Sequence, residues 1–205
     1  MRFKIISLAV LFGVGVFGYI VYYNHIRSSQ DLSAVRPFGF LRLEIPEDSL
    51  MSLDFQDGNL PFNFMFSSNG NWVDKPTNGW GDIRYPFCKA RIQISYNKIE
   101  ENLGQLINDA HSMTYKHKIV AEGIEEKMYS NSDRNVNGVL FKLYGNTASH
   151  IQFFATDSIS NFLRGAAYIY SRPNPDSLKP IHEFLENEVL QIIESLEWNY
   201  VSPKS

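Results

Sequence analysis

The chain opens on a long apolar run and then alternates between two hydrophobic periods. Residues 5–23 read IISLAVLFGVGVFGYIVYY, without a charged residue. About 20 residues at roughly 1.5 Å rise cross the hydrocarbon core of a bilayer, so the run is long enough to span one. Residues 25–36 are polar and read as a stalk. Alternation then predicts strands at 38–46, at 62–66, where Phe62, Phe64 and Phe66 share a face, and at 90–96, where Ile92, Ile94 and Tyr96 alternate with Arg91, Gln93 and Ser95. Residues 69–81 are rich in Asn, Gly, Pro and Asp and read as a loop, with Trp72 and Trp80 as packing plugs.

The period changes over 99–115. Ile99, Leu103, Leu106, Ile107, Ala110 and Met113 fall on one helical stripe. Residues 119–128 fit neither period, and 131–137 read as a turn. Three strands follow at 139–144, 150–156 and 162–170, and their short connections predict antiparallel pairing. A final helix is expected with Asp176 as its cap and Pro180 in its first turn. Leu178, Ile181, Leu185, Val189, Ile192, Ile193 and Leu196 form its buried stripe; Glu186, Glu188 and Glu194 form a solvated face. Strands, helix, strands, helix is the order of an α+β domain: a mainly antiparallel sheet flanked by helices, here preceded by one N-terminal transmembrane helix. The expected layout is a cytoplasmic tip at 1–4, a signal anchor at 5–24, a stalk at 25–36, an extracytoplasmic domain at 37–200 and a tail at 201–205.

Charge sets the expected orientation. Arg2 and Lys4 precede the apolar run, which favours a cytoplasmic N-terminus and an outward-facing domain. A cleaved signal peptide is the alternative, but the run ends in Tyr-Ile-Val-Tyr-Tyr rather than in small residues. A buried core helix would show a polar face, and the run has none. Of 19 Lys and Arg, three lie in the first 30 residues; the 16 that remain face 22 Asp and Glu, a balance of −6. That balance argues against non-specific nucleic-acid binding. Cys88 is the single cysteine, which excludes an internal disulfide and cysteine-rich zinc sites.

Candidate chemistry is sparse. Gly13, Gly15 and Gly18 spell G-x-G-x-x-G inside the apolar run, where no strand–turn–helix unit can use it. His111 and His117 point apart on a regular helix and cannot share a metal. Glu122, Glu125 and Glu126 read as a solvated acidic face, and Cys88 as a small buried hydrophobe. His150 and Gln152 are expected on one face of a strand, and Asp157 and Arg164 are placed to pair across a turn. A structural hydrogen-bonded cluster is the plain reading of that set, and a ligand pocket the sharper one. No metal, cofactor or catalytic residue is expected.

Several ordered motifs carry a resemblance. They are Ser95-Tyr96, the run from Ser112 to Ile119 (SMTYKHKI), Ala121, Ile124-Glu125-Glu126, and Gly145-Asn146-Thr147-Ala148-Ser149. After them come QFFATDS from Gln152, FLRGAAY from Phe162, PNPDSL from Pro173 and ESLEW from Glu194, with a looser match at FLRLEIP from Phe40. In this order and spacing the chain is similar to the GldD gliding-motility lipoprotein family of Bacteroidetes. The resemblance implies a non-enzymatic cell-envelope protein needed for gliding and linked to type IX secretion, whose proteins would be its partners. The element order also resembles the α–β–α sandwich of PsbP/Mog1 domains, a likeness of fold alone. The lipidated cysteine that family members carry after a signal peptide has no counterpart here, so a tether to the inner membrane with the domain in the periplasm is expected instead of a lipid anchor.

Two functions are therefore in play. One is an interaction or assembly protein, with Tyr115, His117, Asn146, His150, Gln152, Asp157 and Arg164 as its candidate surface. The other is a ligand-binding or hydrolytic domain in which His150, Gln152, Asp157 and Arg164 converge in one pocket.

Overall fold

The computed structural model describes residues 19, 22, 50–52, 60–116, 121–145, 147–170 and 175–199. The chain divides into two units, Met1–Gly39 and Phe40–Ser205, and every element below belongs to the second. The expected membrane segment (apart from Tyr19 and Tyr22), the stalk and the strand at 38–46 lie outside the described residues, as do His117 and Asn146. Among the described residues, no helix is long and apolar enough to cross a membrane.

Eleven strands, two α-helices and a short 3-10 helix (Pro86–Cys88) are described in this unit. The strands are β1 (Leu50–Ser52), β2 (Phe62–Asn63), β3 (Met65–Ser67), β4 (Asn71–Asp74), β5 (Gly81–Tyr85), β6 (Ala90–Lys98), β7 (Ala121–Asn131), β8 (Val136–Gly145), β9 (Ile151–Thr156), β10 (Asn161–Ile169) and β11 (Glu197–Trp198). The helices are α1 (Leu103–Tyr115) and α2 (Pro175–Ser195). Seven strands form one sheet in the order β4-β5-β6-β10-β9-β8-β7, and every neighbouring pair is antiparallel. Two short pairs, β1 with β3 and β2 with β11, lie outside it.

The sheet's alternation sends side chains to two different cores. Ile83, Tyr85, Ile92, Ile94, Leu140, Ile151, Phe153, Ala155, Leu163 and Ala167 join the larger core with α2. Phe141, Leu143, Phe154 and Phe162, one residue out of step, meet α1 through Ala110, with Leu103, Leu106 and Ile107 partly buried against them. One helix therefore covers each face, giving three layers. The α2 stripe of Leu178, Ile181, Leu185, Val189, Ile192, Ile193 and Leu196 is buried throughout. Each such side chain contributes roughly 1.5–3 kcal/mol.

Sequence pattern misplaced several details. Residues 69–81 are not a loop: they include β4 and the turn to β5. The polar residues are the tip, where Lys75 N–H donates to Trp80 C=O (2.9 Å) and Trp80 N–H to Thr77 C=O (3.0 Å). Trp72 lies flat on Gly81, where a Cβ would come within 2.2 Å of the indole. The same device recurs at Gly165, on which the Phe153 ring rests. Most of residues 119–128, which fitted neither period, falls in the edge strand β7 (Ala121–Asn131), where exposure on both sides removes the alternation; Met128 is 86% exposed. Helix α1 starts at Leu103, not Ile99, and its Met113 is exposed while Thr114 is buried, because Thr114 Oγ1 donates back to Ala110 C=O (3.0 Å). Helix α2 already includes Pro175, so Asp176 is inside the helix rather than its cap and Pro180 lies beyond the first turn.

Glu188 is the clearest correction. It was expected on a solvated face and is instead buried. Its Oε2 accepts from Tyr85 Oη at 2.5 Å and from Ser67 N–H at 3.1 Å. A carboxylate on a helix's inward side survives there because two donors from the sheet side satisfy it.

Candidate functional site

Helix α1 is 13 residues long and so only about 20 Å from end to end. Seven strands at about 4.8 Å spacing make a wider sheet than that. α1 packs over β7 to β10 and leaves the β5–β6 side of its face open, and a cleft of about 660 Å³ lies along the helix flank there. Its sheet side is polar by alternation: Gln93, Ser95 and Asn97 of β6 and Arg164 of β10. Ser95 and Arg164 are direct cross-strand partners, and Ser95 Oγ donates to the Arg164 carbonyl at 3.4 Å. Trp80 and Tyr168 add aromatic surface, and Asp109 and Lys116 of α1 stand on the exposed rim.

Arg164 is the charged group set deepest in this cleft. Its Nη2 donates to Gln152 Oε1 at 2.8 Å, and among the described residues it has no carboxylate partner. Burial pushes its pKa below the ordinary arginine value, with Tyr168 opposing; a guanidinium nevertheless stays charged. Gln152 is buried behind it and its orientation is fixed, since a flipped amide would turn its NH₂ toward the guanidinium. Thr114 Oγ1 also lies 3.3 Å from Gln152 Oε1, but its one hydrogen serves the closer Ala110 carbonyl. Among the described residues, Gln152 Nε2 has no partner.

His150 is not on that face. Its ring stacks on His182 of α2, with centroids 3.6 Å apart and planes at 26°. The pair lines a second cavity, of about 290 Å³, together with Lys142, Tyr144, Lys179, Glu183 and Glu186. Both Nε2 atoms are buried and have no hydrogen-bond partner among the described residues. Burial lowers both pKa values; for His182 the neighbouring His150 charge adds to it and the value falls to about 4, while for His150 a hydrogen bond to the Gly145 backbone opposes the shift. The expectation that His150 and Gln152 share a face fails because the chain turns at His150, just before β9 begins at Ile151. Among the described residues, no group of three His, Cys, Asp or Glu side chains is placed to hold a metal ion.

Asp157 is equally far from Arg164 in role. Its Oδ1 accepts the backbone N–H groups of Ile159 (2.9 Å), Ser160 (2.8 Å) and Asn161 (2.8 Å), and Oδ2 accepts from Asn161 Nδ2 (2.7 Å). Burial alone would raise its pKa, but these four donors outweigh burial and leave it lowered. The carboxylate holds the β9–β10 turn, with Ser158 at φ +66°, and does not pair with Arg164. Tyr115 sits at the exposed end of α1 and donates to Glu126 Oε1 at 2.5 Å, which raises its pKa. Glu125 accepts from Tyr144 Oη at 2.6 Å in the same manner. Cys88 is buried, and burial pushes its thiol up to about 11. The thiol is inert under neutral conditions.

Residues 30–198 match the model of the gliding motility lipoprotein GldD family. The chain belongs to that family. No curated protein matches it. The match spans both cavities, the Asp157 turn and the α1 face, so the geometry above is that of a GldD domain. Membership of a lipoprotein family implies association with a membrane, and the family is not a known enzyme family. The pocket of four residues held as the alternative reading does not form in this GldD domain: Gln152 and Arg164 meet, Asp157 builds a turn, and His150 faces α2. His182 was missed by sequence reading. It lies in the α2 stripe region beside Ile181, and nothing in its spacing announces a partner 32 positions upstream.

Proposed function

We propose that this chain is a membrane-tethered envelope protein required for surface gliding, which works with the type IX secretion machinery through protein–protein contact and catalyses no reaction. The observation that carries the reading is the family match over residues 30–198. The site geometry supports it in a negative way: the one constellation that suggested hydrolysis is dispersed over two faces and a turn. Deleting the gene is expected to abolish spreading on agar and the secretion of cargo proteins. Normal spreading and secretion in the deletion strain would sink the proposal.

The tether in this reading is the apolar run at 5–23, with the domain in the periplasm. Fractionation together with N-terminal sequencing of the mature protein tests it. A mature chain that begins after Tyr23 would show a cleaved signal rather than an anchor.

A further inference from the structure

The α1-side cleft holds a cation with no anion to match it. Arg164 is set into the sheet wall, and among the described residues its side-chain partner is the neutral Gln152 carbonyl oxygen. The two other charges of the cleft, Asp109 and Lys116, stand on the exposed rim of α1. Desolvating a guanidinium costs free energy that a neutral amide returns only in part, whereas a carboxylate meeting the guanidinium fork returns much more.

The groups around Arg164 describe the rest of the ligand. Gln93 and Asn97 lie on the same face of β6, two positions either side of Ser95, and both side chains line the cleft. Four residues of strand put their Cα atoms roughly 13 Å apart, with Arg164 opposite the Ser95 midway between them, so the two amides flank the guanidinium at either end of a ring-sized body. Trp80 and Tyr168 supply flat apolar faces that such a ring can lie against. The volume, about 660 Å³, is ample for one or two rings. We infer that this cleft binds a sugar acid, its carboxylate on Arg164, its hydroxyls on Gln93 and Asn97, and a ring face against Trp80 or Tyr168.

The test is isothermal titration of the full-length protein in detergent micelles with D-glucuronate, D-glucose and acetate. Glucuronate is expected to bind about tenfold or more tightly than either comparison compound, since glucose lacks the charge and acetate lacks the body. Arg164→Gln is expected to reduce glucuronate affinity to that of glucose while the melting temperature stays close to wild type. The double variant Gln93→Ala/Asn97→Ala, which alters only half-exposed side chains, is expected to weaken glucuronate several-fold and leave acetate unchanged; it decides the matter if Arg164→Gln does not fold. No glucuronate binding, equal binding of glucose, equal binding of acetate, or glucuronate binding untouched in the variants would each overturn the inference. Binding of this kind is independent of gliding, so loss of the motility reading leaves it standing and the reverse also holds.

Discussion

On the α2 face of the sheet, a 21-residue helix lays an apolar stripe over ten inward-facing strand positions, and its buried acid, Glu188, has donors from Tyr85 of β5 and Ser67 of β3. On the α1 face, a 13-residue helix packs on β7 to β10, and the cleft left along its flank is walled by Gln93, Ser95 and Asn97 of β6 and Arg164 of β10. The same strands serve both faces, so the difference lies in helix length and in the residues at alternate positions. A face that is covered fully can be dry and stabilising. A face covered in part must be made of side chains that tolerate water, and those are the side chains that recognise other molecules. Stability and recognition are thereby divided between two sides of one sheet.

Truncation measures that division most directly. Ile192→Ala, at a fully buried position of α2, is expected to cost roughly 2–5 kcal/mol in urea unfolding. Leu106→Ala, half-buried on α1 at the cleft edge, is expected to cost about 1 kcal/mol, because part of the lost surface is already wet. Equal costs would break the comparison. Next in size is Glu188→Ala. It removes the acceptor of Tyr85 Oη and Ser67 N–H and is expected to cost roughly 1–3 kcal/mol, with Glu188→Gln milder because an acceptor oxygen remains. If both variants match wild type, Glu188 is not part of what holds α2 to the sheet.

The stacked histidines make the α2 side sensitive to acid. Burial holds both folded-state values below the ordinary histidine value, His182 at about 4, so the unfolded chain takes up protons first as the pH falls. Their contribution is fully present above the unfolded value of about 6.5 and is lost as the pH drops toward 4. Lys142, Lys179, Tyr144, Glu183 and Glu186 face the pair from the same cavity. The cavity is partly open to solvent, which limits the loss to roughly 1–2 kcal/mol. Thermal melts between pH 7 and pH 4 should show a decline that is shallower in His182→Phe. The same slope in that variant would assign the acid sensitivity elsewhere.

Sequence periodicity made both helices, four strands of the central sheet (β6, β8, β9 and β10) and their antiparallel pairing legible, and it left β4, β5 and β7 unread. It failed where burial is not one-sided. β7 is an edge strand exposed on both faces, so its side chains have no reason to alternate, and β4 lies in a stretch whose Asn, Gly and Pro serve the neighbouring turn. Glu188 looked solvated because helical spacing reports direction, and it cannot show that Tyr85 and Ser67 wait opposite. The candidate site was legible in its parts and not in its assembly. Gln152 and Arg164 were singled out and do meet, through the β9–β10 register that pairs Phe154 with Arg164 and Gln152 with Ala166. Asp157 was singled out for chemistry, although its position in a turn with exposed backbone N–H groups is what a structural aspartate prefers. The His150–His182 contact joins a strand's entry to a helix face, which no local pattern encodes.

The smallest expected effect sits at the rim of the α2 face, where the dry core meets water. Lys142 Nζ of β8 lies 2.7 Å from Glu186 Oε2 of α2 and 3.0 Å from Oε1, and the bond to Glu186 raises the lysine's pKa in spite of some desolvation. Both side chains remain about a third exposed, so solvent and salt screen the pair. Glu186→Gln is therefore expected to lower stability by less than about 1 kcal/mol at low ionic strength and by almost nothing in 1 M salt. A larger, salt-independent loss would mean that the water boundary lies outside this pair and that the dry region reaches the His150–His182 cavity. The acid-sensitivity of that cavity would then exceed the screened value given above, and the contrast between the two faces would be sharper than the burial of α2 alone implies.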